Sequence, residues 1–120
     1  MPYLVDGHNL IPKIPGLSLK SFDDEEQLIK LLQDFCRIQR KSIEVYFDGA
    51  PPGHARQQRH GQVSAIFVRQ GLTADAAIRQ RLLKLGKAAS QWTVVSSDHA
   101  VQDAARLVRA QALSAEEFSR

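Results

Sequence analysis

Four aspartates stand where runs of apolar residues give way to turns or helix starts. Asp6 ends Tyr3-Leu4-Val5, Asp48 ends Ile43-Glu44-Val45-Tyr46-Phe47, Asp98 follows Trp92-Thr93-Val94-Val95-Ser96-Ser97, and Asp75 follows Thr73-Ala74 at the head of a helical pattern. Carboxylate oxygens suit hard divalent cations such as Mg²⁺ or Mn²⁺, which keep water in their shell and leave positions for phosphate oxygens. A cation held this way acidifies an attacking water and steadies a leaving oxygen. Gathered on one edge, these carboxylates suit metal-dependent hydrolysis of a phosphodiester. Taken singly, each has a plain structural use: Asp6 and Asn9 can bond turn backbone, and Asp75 can face the positive end of a helix dipole. The grouping carries the chemistry.

The elements around the aspartates must place them together. After the first strand, Pro12, Pro15 and Gly16 predict an irregular loop over residues 6–20. Ser21 or Asp23 can cap a helix over residues 24–41, whose first turn holds Asp24, Glu25 and Glu26 and whose apolar stripe is Leu28, Ile29, Leu31, Leu32, Phe35, Cys36 and Ile38. Strands are expected at Ile43–Phe47, Val63–Val68 and Trp92–Val95. Thr73 caps a helix that buries Ala76, Ala77, Ile78, Leu82, Leu83 and Leu85, turns Arg79, Arg81 and Lys84 outward, and stops at Gly86. Residues 99–109 form a further helix, and Ser114-Ala115-Glu116-Glu117 has the form of a capping box. The order is strand, helix, strand, strand, helix, strand, helix. It implies an α/β fold, a mostly parallel sheet with helices on both faces. Right-handed crossovers then bring Asp6, Asp48, Asp75 and Asp98 to one edge of that sheet, the edge where open α/β sheets bind ligands.

The chain has 120 residues, 43% of them apolar and 24% charged, and reads as one domain over residues 1–120. Its one cysteine, Cys36, excludes an internal disulfide and reads as a small buried hydrophobe. No basic segment leads into a long apolar run, so the expected location is cytoplasmic, away from membranes. Net charge is +3 with an isoelectric point near 9.3. Between Asp48 and Asp75 there is no acidic residue, while His54, Arg56, Arg59, His60 and Arg69 all fall there. That asymmetry fits an anionic partner such as nucleic acid. Arg56, Arg59 and His60, in a long basic loop over residues 50–61, and Arg79 are the candidate RNA contacts.

The motifs Leu4-Val5-Asp6-Gly7-His8-Asn9-Leu10-Ile11, Val45-Tyr46-Phe47-Asp48-Gly49, Thr73-Ala74-Asp75-Ala76-Ala77-Ile78 and Val94-Val95-Ser96-Ser97-Asp98 resemble, in order and spacing, those of NYN domains of the YacP-like group, within the PIN-like ribonuclease superfamily. The resemblance implies a three-layer α/β/α sandwich around a mostly parallel sheet. It implies a Mg²⁺- or Mn²⁺-dependent endoribonuclease acting on single-stranded RNA; some relatives act on mRNA at the ribosome. By resemblance Asp6, Asp75 and Asp98 are the catalytic and metal-binding acids, with Asn9, Asp48 and Ser97 supporting them. One departure stands out: His99-Ala100-Val101-Gln102 lacks the glutamate that relatives often carry after the last aspartate, and the next acid is Asp103.

Other parallel-sheet folds fit less well. A receiver domain would show an adjacent acidic pair after the first strand, and a haloacid-dehalogenase-type phosphatase would need Asp-x-Asp; here Asp6 precedes Gly7-His8. Gly-x-Gly-x-x-Gly is absent, and His8, His54, His60 and His99 lack a zinc-type spacing, so each reads as a surface or turn residue, His99 beside Asp98 being the one to watch. The remaining rival is a non-catalytic RNA- or ribosome-binding module with a vestigial acidic edge, which needs only positioned cations.

Overall fold

Side-chain alternation along the strands settles the layers. In the computed structural model, which describes residues 2–20, 23–50, 53–69 and 71–119, the first strand β1 (Pro2–Asp6) buries Leu4 on one face and Val5 on the other. A strand buried on both faces needs a helical layer on each side. Val5, Val45, Phe47, Ala65 and Val95 face a layer made by α1 (Gly7–Leu10), α2 (Asp24–Gln39) and α5 (Ala115–Phe118). Leu4, Tyr46 and Val94 face α3 (Ala74–Leu85) and α4 (His99–Leu107). The architecture is the three-layer α/β/α sandwich that the sequence implies.

The other strands are β2 (Ser42–Ala50), β3 (Gln57–His60), β4 (Val63–Arg69), β5 (Thr93–Val95) and β6 (Gln111–Leu113), and the sheet order is β3-β4-β2-β1-β5-β6. Every neighbouring pair is parallel except β3 with β4. From β1 the chain builds outward through β2 to β4, then returns to add β5 on the other side of β1. Asp6, the last residue of β1, therefore sits where the strand order reverses, at the crevice such sheets offer to ligands.

Several expectations are corrected. The loop expected over 50–61 contains β3, an antiparallel edge strand on β4; its polar residues mask the strand pattern. The three-residue strand β6 is too short to leave a period in the sequence. The stretch after Asp6 is not an irregular loop at its start: α1 runs into a 3₁₀ turn over Ile11–Lys13, with Pro12 in its first turn, where a missing N–H costs nothing. The second helix ends two residues early, at Gln39, because Arg40 takes a left-handed conformation. Leu31, Ile38 and Leu83 are exposed rather than part of the buried stripes. Arg81 does not simply face solvent: it makes two hydrogen bonds to the Glu44 carboxylate, 3.0 and 2.8 Å, and lies over the Trp92 ring. Cys36 is buried, Thr73 caps α3, and Ser114 with Glu117 closes the capping box. The alternative cap Ser21 and the prolines Pro51 and Pro52 lie outside the described residues. No helix among the described residues is long and apolar enough to cross a membrane.

Candidate active site

The Asp6 carboxylate stands at the C-terminal end of β1, half-buried. Burial raises its pKa to about 6, and the charges of Asp48 and Asp75 push the same way, against the backbone N–H of Asn9, which donates to it, and His8. Three of the four aspartates thus feel one another at one edge. Asp48 reaches that edge through an irregularity in β2, whose register against β4 shifts between Phe47 and Ala50, with Gly49 in the left-handed region (φ 75°) that glycine enters freely. Its carboxylate also faces the first N–H of α3, that of Ala74, at 3.4 Å. Asp75, in that same first turn, accepts from the Thr73 hydroxyl and lies 3.7 Å from the Arg79 guanidinium. Arg79 is therefore occupied in part by an acid of the site.

His8 lies between two acids. Its Nδ1 is 3.0 Å from Asp48 and its Nε2 2.7 Å from Glu25 in the first turn of α2. The hydrogen bond to Glu25 is the chief reason its pKa rises to about 9, so the ring is an imidazolium at neutral pH, donating through both nitrogens. One cation thus ties α1, β2 and α2 together and offsets part of the negative charge around Asp6. Gly7 makes this placement work for a reason unrelated to its φ: a Cβ there would come within 2.3 Å of the Phe47 ring, which packs at a tilt against His8.

Asp98 has a different engagement. Its Oδ1 accepts the N–H groups of Ala100 and Val101, so the residue is the N-cap of α4. Asn9 serves Asp6 through its backbone N–H and holds Ser97 through its side chain, whose oxygen accepts the Ser97 N–H at 2.8 Å. The Ser97 hydroxyl donates to Glu116, which Lys13 also meets at 3.0 Å, and it accepts the Ala115 N–H. These contacts hold α5 against the loop that carries Asp98. Asp103 does not replace the absent acid, since it is exposed and bonds Arg106. His99 is exposed as well.

The structure therefore brings Asp6, Asp48 and Asp75 into electrostatic contact and gives Asp98 a capping role beside them. Among the described residues, no three His, Cys, Asp or Glu side chains converge closely enough to form a ready-made cation site. Of the basic candidates, Arg56 and Arg59 are exposed, and Arg59 donates to the Gly61 carbonyl; His60 is half-buried, 3.4 Å from Gln58. Sequence reasoning missed His8 and Glu25. His8 sits inside the Asp-Gly-His-Asn motif, but its partners are 40 and 17 residues away, and Glu25 reads as an ordinary dipole residue at a helix start.

A three-layer sandwich with carboxylates gathered at the switch-point edge is a PIN-like, nuclease-type domain. The profile of the YacP-like NYN domain matches residues 3–120, and the chain belongs to that family. Crystal structures of Rae1 (YacP) from Bacillus subtilis are similar in fold: one superimposes with a TM-score of 0.79, and the W164L mutant with 0.77. Each is 29% identical to this chain, and the match covers 98% of this chain and 71% of the other. No curated protein sequence matches the chain.

Proposed function

We propose that this chain is a divalent-metal-dependent endoribonuclease, a single NYN/PIN-like unit that hydrolyses phosphodiester bonds in single-stranded RNA. The observation that carries the reading is the Asp6 carboxylate, held half-buried beside the charges of Asp48 and Asp75 at the switch point of a parallel sheet. Asp48 and Asp75 keep partners in His8, Thr73 and Arg79, yet their charges still disfavour the ionised form of Asp6, a repulsion that a cation would relieve. The donors are hard oxygens, which fit Mg²⁺ or Mn²⁺. Asp6, Asp75 and Asp98 are the residues that would hold the ion, Asp98 through the Oδ2 its capping bonds leave aside. When bound, such an ion supplies charge neutralisation at phosphorus and an acidified water. His8 keeps Asp48 fixed and turned toward the start of α3, and the Asn9 bond to Ser97 keeps the β5–α4 loop beside β1. Arg56, Arg59, His60 and Arg79 are the proposed contacts to RNA. Membership of the YacP group supports mRNA on the ribosome as the substrate, and with it a cytoplasmic location.

That no three His, Cys, Asp or Glu side chains converge into a cation site among the described residues favours one rival, an RNA-binding module whose acidic edge no longer works. Cleavage of an end-labelled single-stranded RNA by wild type and Asp6→Asn, each with Mn²⁺, Mg²⁺ or EDTA, separates the two. Nuclease activity predicts cutting by wild type with metal alone, and RNA binding without cutting by the variant. Equal binding with no cutting by either, on free and on ribosome-bound RNA, would establish the module instead.

A further inference from the structure

Beside the acidic edge, α2 and the β3–β4 hairpin flank three adjoining cavities that open to solvent. The first, about 340 Å³, is lined by Glu25, Ile29, Lys30, Gln33, His54, Gln58 and Phe67 among others. The second shares Lys30, Gln33 and His60 with it and adds Asp34 and Arg37; the third shares Arg37 and Gln62 with the second and adds Arg40 and Lys41. Together they make one groove along α2, starting at Glu25, the residue that holds His8 of the site.

The lining changes character along its length. At the site end the floor is apolar and aromatic: the exposed His54 ring lies 4.4 Å from Phe67, which stacks on Phe47, which in turn meets His8. The amides of Gln33 and Gln58 flank this floor, offering a donor and an acceptor each. Glu25 and Glu26 at this end would repel a phosphate, so an uncharged planar group suits it better. Farther along the lining turns basic. Lys30, Arg40 and Lys41 make no ion pair among the described residues, and Arg37 bonds only Asp34, both of them largely exposed. A stacking platform followed by positioned cations is the layout of a single-stranded nucleic-acid path.

We infer that the α2–β3 groove binds single-stranded RNA flanking the scissile phosphate, with one base stacked in the His54–Phe67 pocket between Gln33 and Gln58, and the following phosphates on Lys30, Arg37 and Arg40. This rests on RNA being the substrate of the acidic edge.

The test is the affinity of the full chain for a fluorescent 12-nucleotide RNA, measured in EDTA across a salt series, with folding of each variant checked by circular dichroism. Lys30→Glu/Arg37→Glu should weaken binding about ten-fold or more and flatten the salt slope by about 1.4, the share of two phosphate contacts to a single strand. His54→Ala should weaken it about five-fold with the slope unchanged, as loss of stacking does. Lys84→Glu/Lys87→Glu, on the opposite layer, controls for overall charge and should change the slope little. If the control pair weakens binding as much as the groove pair, or no variant matters, the groove assignment fails. Failure here is separable from failure of the nuclease reading: binding in EDTA needs no cleavage, so a groove that binds RNA in a chain that never cuts removes only the nuclease. Cutting with affinities indifferent to the groove removes only the groove.

Discussion

Burying the Asp6 carboxylate among Asp48 and Asp75 works against folding, since desolvation and like charge both disfavour its ionised form. Its pKa in the fold, about 6, lies above the ordinary 3.8, so its contribution to stability is full below pH 3.8 and is lost as pH rises through 6. At 1.36 kcal/mol per unit the loss is at most about 3 kcal/mol. Asp6→Asn should therefore melt at a higher temperature than wild type at pH 7.5 in EDTA, with the gain vanishing toward pH 4. Millimolar Mn²⁺ should raise the melting temperature of wild type and not of the variant; a variant less stable than wild type at pH 7.5 would refute the electrostatic account. Asp98 calls for the opposite reasoning, because its Oδ1 caps α4. Asn caps as well as Asp, whereas Ala cannot. Asp98→Ala should cost about 1 kcal/mol in urea denaturation and Asp98→Asn close to none, so the Asn variant isolates the charge from the cap.

Between elements, the His8 bridge is the joint that sets the edge, linking α1 to β2 through Asp48 and to α2 through Glu25. His8 titrates near 9 in the fold, above its ordinary 6.5. Its contribution is therefore complete below pH 6.5 and fades as pH rises through 9. Wild type should lose stability between pH 7 and 10 relative to His8→Gln, so that the two melting curves approach each other at the alkaline end. A difference between them that is flat across that range would show that the bridge is not ionic. The Arg81–Glu44 pair joins α3 to β2 in a comparable way, with the Tyr46 hydroxyl also donating to Glu44.

At the scale of the molecule, stability should grade outward from β1. Leu4 and Val5 are fully buried between the two helical layers, while β3 is an exposed edge strand of four residues. Amide hydrogen exchange should be slowest in β1 and the buried part of β2 and fastest in β3. Equal protection of β3 and β1 would mean that the edge strand is as tightly held as the centre.

Local pattern determined much of this protein. Apolar runs ending in Asp6, Asp48 and the Val95–Asp98 stretch, the Thr73 cap and the Ser114–Glu117 box each report on neighbours in sequence, and from them a mostly parallel sheet with helices on both faces and the acidic edge follow. Tertiary structure decided the rest, because it depends on partners far apart in the chain. It placed β3 in what reads as a loop, gave β6 a partner in β5, turned Leu31, Ile38 and Leu83 to solvent and drew Arg81 to Glu44. It also made His8 a clasp between Asp48 and Glu25. Spacing shows which residue types recur at strand ends; which of them share charge, and through which side chain, is settled only when β1, β2 and the starts of α2 and α3 are packed against one another.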